Sequence, residues 1–328
     1  MRSCLKLALA LALLAVPFTS AARAENTKLV IAEPVHMVGY LPMYVAVRNG
    51  YFAEENIDPV IMTTEGGGAH TNAVLTKQAF AFIGGPEHNA FAKAKGAELR
   101  AVVNVVNRGN VYFVARADLP PMTGDLASYL KGKKIATGFY GGTPNSITRY
   151  ILGTNKLDAT KDVTLLEMAN AGIMAALKAK QADIGVLTEP LVTAGIDEGL
   201  WNEPFLNIPQ ALGPYAYSTL NIRQESIETE PELVEGFVRA IARGLKFTHD
   251  HPEEASKIAN IEFPTMSPEA MKATLDRAFA DSLWSEDGDI SPEAWETGKA
   301  VVMEANILKQ DVPYDAIIDM SIFNKVKE

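Results

Sequence analysis

The segment from Lys28 to Met62 constrains the fold more than any other. Lys28–Ala32 (KLVIA) has the apolar, β-branched content of a short strand. A loop opens at Glu33-Pro34 and closes in the turn Gly39–Pro42. The helix that follows carries Met43, Val45, Ala46 and Val47 before Asn49-Gly50 stops it. After the helical turn at Gly50–Asp58, Val60-Ile61-Met62 begins a second strand. Strand, loop, helix and strand within about thirty residues is the length of one βαβ unit. Ligands of such units bind beyond the carboxyl ends of the strands, where loops and helix N-termini converge. The loop Val35–Tyr40 stands at that place; its plain alternative is a simple connection.

The same alternation continues. Gly66-Gly67-Gly68 separates the second strand from a helix at Thr71–Lys77. Strand Ala79–Gly85 follows, then a turn at Pro86–Asn89 and a helix at Ala90–Ala94. Strands are expected at Leu99–Val106 and Val111–Arg116. A second unit begins with the strand Gly132–Thr137, which runs into Gly138–Ser146. There Thr143 is placed to cap a helix whose first residue is Pro144. Strands Val163–Glu167 and Ala182–Leu187 flank the helix Ala169–Ala179, and the latter strand ends at Thr188-Glu189-Pro190. Beyond the strand Tyr215–Ile222 the pattern turns helical, with Leu233, Val234, Phe237, Ile241 and Leu245 at helical spacing. The alternation predicts α/β architecture, and about 300 residues at ~100–200 per domain predict two lobes. If the late helices pack on the first lobe, the chain crosses between lobes near Asn107–Tyr112 and near Pro214–Thr219. The lobes are then 25–110 plus 218–328, and 111–217.

Residues 1–24 have the form of a secretory signal peptide. Arg2 and Lys6 form a basic start, Leu7–Val16 is apolar, and Ala22-Arg23-Ala24 is a small-x-small cleavage pattern, placing cleavage after Ala24. The run is shorter than the ~20 apolar residues of a membrane span, so no membrane insertion is expected. The only cysteine, Cys4, lies ahead of that run. A chain starting at Glu25 therefore has no thiol for disulfides, metal ligation or nucleophilic catalysis. It would keep 27 basic against 40 acidic residues, a net charge of −13. Such acidity argues against nucleic acid and anionic membranes as partners.

Several weak motifs, taken in order, resemble those of bacterial substrate-binding proteins of ABC transporters. The resemblance is to the group that binds thiamine-pyrimidine precursors, nitrate, taurine and alkanesulfonates. It rests on the opening loop with Tyr44-Val45-Ala46, on Gly50-Tyr51-Phe52 with Glu54-Glu55-Asn56-Ile57, and on Leu130–Ala136. Ala182-Asp183-Ile184-Gly185 with Glu189-Pro190, and the helices at Pro231 and His251–Ala255, complete it. It implies a type II periplasmic binding fold: two lobes, each a mainly parallel sheet flanked by helices, with the ligand in the cleft. It also implies a periplasmic monomer that captures a small molecule by hinge closure and delivers it to a membrane permease with its ATPase.

The expected ligand contacts are strand-end residues. The first lobe offers Met37, Tyr40, Glu65, Gly67, Gly68, Glu87 and His88. The second offers Tyr140, Gly141, Gly142, Thr143, Asn145 and Glu189, with Tyr215 and Tyr217 at the crossing. Tyrosines there can stack on a flat ligand, and the Gly-Gly-Thr turn can present free N–H groups. Carboxylates outnumber cations at these ends, with Arg108 the one evident cation. The set suits a nitrogenous or aromatic ligand with N–H donors, such as a pyrimidine precursor; an organic oxyanion is the alternative. The five histidines have no metal-site spacing, and no cofactor is expected. There is no Gly-x-Ser-x-Gly elbow and no phosphate loop. A relationship to pyrimidine synthases, which carry a cysteine-rich motif, is disfavoured, so no enzymatic activity is expected. An extracytoplasmic sensor is a third reading.

Overall fold

A computed structural model of the chain describes residues 26–327. The segment 1–24, expected to be a signal peptide, and the expected cleavage after Ala24 lie outside the described residues. Ten strands form two five-stranded sheets. The strands are β1 (Thr27–Glu33), β2 (Ile57–Thr63), β3 (Ala81–Gly84), β4 (Leu99–Arg108), β5 (Tyr112–Ala115), β6 (Lys134–Thr137), β7 (Thr164–Glu167), β8 (Ile184–Leu187), β9 (Leu206–Asn207) and β10 (Pro214–Arg223). The first sheet has the order β2-β1-β3-β10-β4 and the second β7-β6-β8-β5-β9. In each, four strands run one way and a single strand, β10 or β5, is reversed.

Central strands covered on both faces must be apolar throughout, and β3 and β8 are buried at every position. The long helix Pro231–Asp250 starts with proline at its first turn and buries Val234, Phe237, Val238, Ile241 and Leu245 along one stripe. That stripe packs on the helix Leu41–Arg48 of the first sheet's layer, and Phe237 meets Phe52 with ring centroids 5.6 Å apart. Tyr51-Phe52 is thus scaffold: the Phe52 ring is fully buried.

The chain passes between sheets twice. The first passage is Gly109–Val111, between β4 and β5. The second is 208–213, between β9 and β10. Pro214 already pairs with Arg108 of β4, so the return lies ahead of the expected Pro214–Thr219, and Tyr215 and Tyr217 stand in the first sheet. The passages touch: a Cβ at Gly109 would lie 2.6 Å from Ile208 Cγ2. Only glycine lets the two chains run side by side there. Among the described residues no helix is long and apolar enough to cross a membrane.

Candidate functional site

A cavity of about 450 Å³ lies between the carboxyl ends of the two sheets, within the usual size range of small-molecule sites. On the first sheet's side it is bounded by the loop after β1 (Val35, His36, Met37, Tyr40), by Glu65–Gly67 after β2 and by Gly84-Gly85 after β3. His70, His88, Tyr217 and Phe263 complete that wall. Opposite stand Phe139 and Gly142–Pro144 after β6, Met168–Ala171 after β7 and Thr188–Leu191 after β8. Among the described residues, no lysine or arginine lines it.

His70 and His88 form its most distinctive polar feature. Their rings meet edge-on with centroids 4.7 Å apart, and both side chains are buried. Desolvation holds His70 well below its usual value of 6.5, with a smaller contribution from His88, so it is neutral. A neutral imidazole has one N–H and one bare nitrogen, and neither finds a partner in the protein. His88 Nδ1 lies 3.1 Å from the Gly85 carbonyl, which can only accept. Its proton is therefore on Nδ1, and in the neutral ring the unpartnered Nε2 is a hydrogen-bond acceptor.

The outer wall is fixed by Glu33 at the end of β1. This buried carboxylate accepts from Tyr44 Oη at 2.6 Å and Thr63 Oγ1 at 2.7 Å, and lies 3.1 Å from His36 Nδ1. The His36 ring packs between Tyr44 and Phe263, each centroid 4.7 Å away. The hydrogen bond to Glu33 raises the His36 pKa above 6.5 against the opposing effect of burial.

Two contacts tie the walls together. Thr143 Oγ1 donates to Glu87 Oε1 at 2.6 Å. Arg277, on the helix Pro268–Ala280, donates from Nε to Glu189 Oε1 at 2.9 Å. Burial raises both glutamates' pKa values above the usual carboxylate range, more than their hydrogen bonds lower them.

Of the residues picked from sequence, Met37, Tyr40, Glu65, Gly67, His88, Gly142, Thr143, Glu189 and Tyr217 line the cavity. The others lie elsewhere. Gly68, Tyr140 and Gly141 border a separate surface groove, and Tyr140 is more than half exposed under the Arg149 guanidinium. Glu87 sits behind the wall, turned to Thr143. Asn145 is buried, donating to the Gly138 carbonyl and to Glu167. Tyr215 is buried beside Gly298 of the helix Pro292–Glu304. Arg108 reaches the Asn107 carbonyl, away from the cavity. Thr143 is not the cap: Gly142 is, which frees the Thr143 hydroxyl to cross to Glu87. His88 stands on a helix, Glu87–Lys93, that begins earlier than expected. His70, Phe139, Met168, Asn170 and Phe263 were not picked. Each occupies a strand-end loop, or the helix opening after one, except Phe263, whose approach from a distant helix has no local signal. Among the described residues no group of three or more histidine, cysteine or acidic side chains is arranged to hold a metal ion.

Two mixed sheets flanked by helices, joined by two passages with a cavity between their carboxyl ends, define a two-lobed binding fold of type II. The chain belongs to the NMT1/THI5 like family, whose model matches residues 38–255. Among curated relatives, the putative binding protein YtlA of Bacillus subtilis is 25% identical over 92% of this chain and 90% of its own. The riboflavin-binding protein RibY of Chloroflexus aurantiacus is 27% identical over 66% of this chain and 61% of its own. A solved structure from Bordetella bronchiseptica superposes with a TM-score of 0.79 at 24% identity, over 92% and 97% of the two chains. The alkanesulfonate-binding protein SsuA of Xanthomonas axonopodis, bound to MOPS, gives 0.74 at 17%, over 90% and 99%. The fold also occurs in a desulfurization enzyme, DSZB, at 0.64 and 15%, over 92% and 99%.

Proposed function

We propose that this protein is the periplasmic solute-binding component of an ABC-type importer. It closes two lobes on a small, planar, nitrogen-containing molecule and presents it to a membrane permease. Binding proteins among the relatives support the class. The two passages at Gly109–Val111 and 208–213 are the hinge. No catalytic role is assigned to any residue.

One observation carries the ligand class. Among the described residues the cavity wall has no lysine or arginine, yet it holds two buried histidines with unpartnered ring nitrogens and the acidic groups of Glu65 and Glu189. A sulfonate or nitrate would be desolvated there beside carboxylates with no guanidinium or ammonium group facing it, which is costly. A neutral or cationic heteroaromatic ring with N–H donors satisfies the acceptors, and Tyr40, Tyr217, Phe139 and Phe263 offer it flat apolar surface. Aminopyrimidines of the thiamine-precursor kind and flavin-like rings are the leading members of that class.

The test is mass spectrometry of the molecule released on denaturing the purified protein, followed by thermal-shift titration. A ligand at a hundredfold excess over its Kd adds about 2.7 kcal/mol to stability. Stabilisation by taurine, alkanesulfonates or nitrate, with none by aminopyrimidines or flavins, would overturn the ligand class. Recovery of a chemically altered product would overturn the transport reading.

A further inference from the structure

The helix Pro268–Ala280 follows helices packed on the first sheet's layer, yet the polar groups at its C-terminal end reach into the second lobe. Asp281, just past its end, accepts from Tyr112 Oη at 2.8 Å, Asn207 Nδ2 at 2.9 Å and Gln210 Nε2 at 2.9 Å. Tyr112 follows the first passage, and Asn207 and Gln210 flank or lie in the second, so Asp281 stands at the pivot. Arg277 is four residues earlier, about 6 Å along the helix axis. From there its Nε reaches Glu189, and its Nη1 reaches Glu203 at 2.8 Å. Both belong to the second lobe. The Arg277 guanidinium also lies over the Tyr112 ring, 5.9 Å from its centroid. If the lobes turn about the passages, the Asp281 contacts there move least and those of Arg277 with Glu189 and Glu203, a helical turn along, move more.

Glu189 lines the cavity. Its Oε1 accepts from Thr193 Oγ1 and from Arg277, while Oε2 accepts only the Thr193 backbone N–H at 3.0 Å. A carboxylate oxygen takes two hydrogen bonds, so one acceptor position on Oε2 remains. The Glu189 side chain is buried, and among the described residues Arg277, with 19% of its side chain exposed, is the cation that contacts it.

We propose that Arg277 is a positioning residue that acts only when the lobes meet. It fixes the Glu189 carboxylate as acceptor for a ligand N–H and thereby couples that contact to closure. This rests on the cavity being a closing cleft.

The test needs no ligand. A Cβ built on Gly67 lies 3.7 Å from Phe139 Cβ across the cleft mouth, within the separation a disulfide spans. In a Cys4→Ser background, Gly67→Cys with Phe139→Cys forms a disulfide only when the lobes meet, so its equilibrium constant against glutathione reports the closed population. Arg277→Gln should lower that constant about tenfold, the size of one charge-assisted hydrogen bond. Glu189→Gln should do the same, the double variant should fall no further, and Arg277→Lys should recover part of the loss. A constant within twofold of the parent for Arg277→Gln, or effects of the two single changes that multiply in the double variant, would overturn the proposal. A purely structural role would lower the melting temperature without that non-additivity, and the Arg277→Lys variant keeps the comparison readable if Arg277→Gln folds poorly. Because no ligand enters, failure here leaves the ligand class standing.

Discussion

The Thr143 hydroxyl donates a 2.6 Å hydrogen bond to the Glu87 carboxylate, joining the first residue of a second-lobe helix to the first residue of a first-lobe helix. Both side chains are buried at this contact, so neither can exchange its partner for water while the lobes touch. Thr143→Val should leave the Glu87 carboxylate without that donor and cost about 1–3 kcal/mol. Urea denaturation at neutral pH measures it; a loss under about 0.3 kcal/mol would mean that another donor replaces the hydroxyl.

Glu87 also makes stability pH-dependent. Burial raises its folded pKa above the ordinary value of 4.5. The folded state therefore holds the proton longer than the unfolded state does, so the associated stability is fully present below pH 4.5 and is lost as pH rises through the folded pKa. Glu189 contributes with the same sign. Glu87→Gln keeps an oxygen for Thr143 and removes the titration. Its stability relative to the parent should rise with pH above 4.5, read from paired denaturation curves; a constant difference across pH would refute the assignment.

His36 acts over a higher pH window. Its folded pKa lies above 6.5 because Glu33 accepts from Nδ1. The interaction thus stabilises the fold fully below pH 6.5 and is lost as pH rises through the folded pKa. His36→Gln should flatten that part of the stability profile. NMR titration of the ring in the parent protein gives the shift directly, and a midpoint at or below 6.5 would contradict it.

His70 separates stability from binding. With both ring nitrogens buried and unpartnered, His70→Leu removes a desolvation cost and should leave stability equal or raise it by about 1 kcal/mol. The same change should weaken the ligand recovered from the protein by roughly tenfold to a hundredfold, by calorimetry. Unchanged affinity would place the ligand away from the histidine pair.

Gly109→Ala would put a methyl group 2.6 Å from Ile208 Cγ2, where the two passages run side by side. Forcing them apart should cost about 1–3 kcal/mol and slow or weaken closure. Small-angle scattering with and without the recovered ligand reports the second effect, and an unaltered scattering change would remove this contact from the hinge.

The strand ends were legible from sequence because their signals are local. Glycine turns such as Gly66–Gly68 and the apolar runs of β1, β3 and β8 are set by the chain's own neighbours, and loops at strand ends are where sites form. What was not legible is which way each residue of a turn faces. Gly141 and Gly142 are adjacent, yet one borders the outer groove and the other the cavity. Tyr215 and Tyr217 were indistinguishable as tyrosines near a crossing. Tyr217 reached the cavity and Tyr215 the contact with Gly298. Residues two apart share a face of a strand, so what separates them is their position along β10, where its pairing with β4 is irregular between Pro214 and Ser218.

The sequence by itself determined the two α/β units, the helical last third and the scarcity of cations near the strand ends, since periodicity, glycine placement and charge are carried by neighbouring residues. Tertiary structure alone decided that Glu87 turns to Thr143, that Phe263 closes the wall beside His36, and that Arg277 meets Glu189 from eighty-eight residues away. Those pairings depend on how two sheets and a late helix dock. No local preference encodes a contact whose partners are brought together only when both lobes bury their apolar faces.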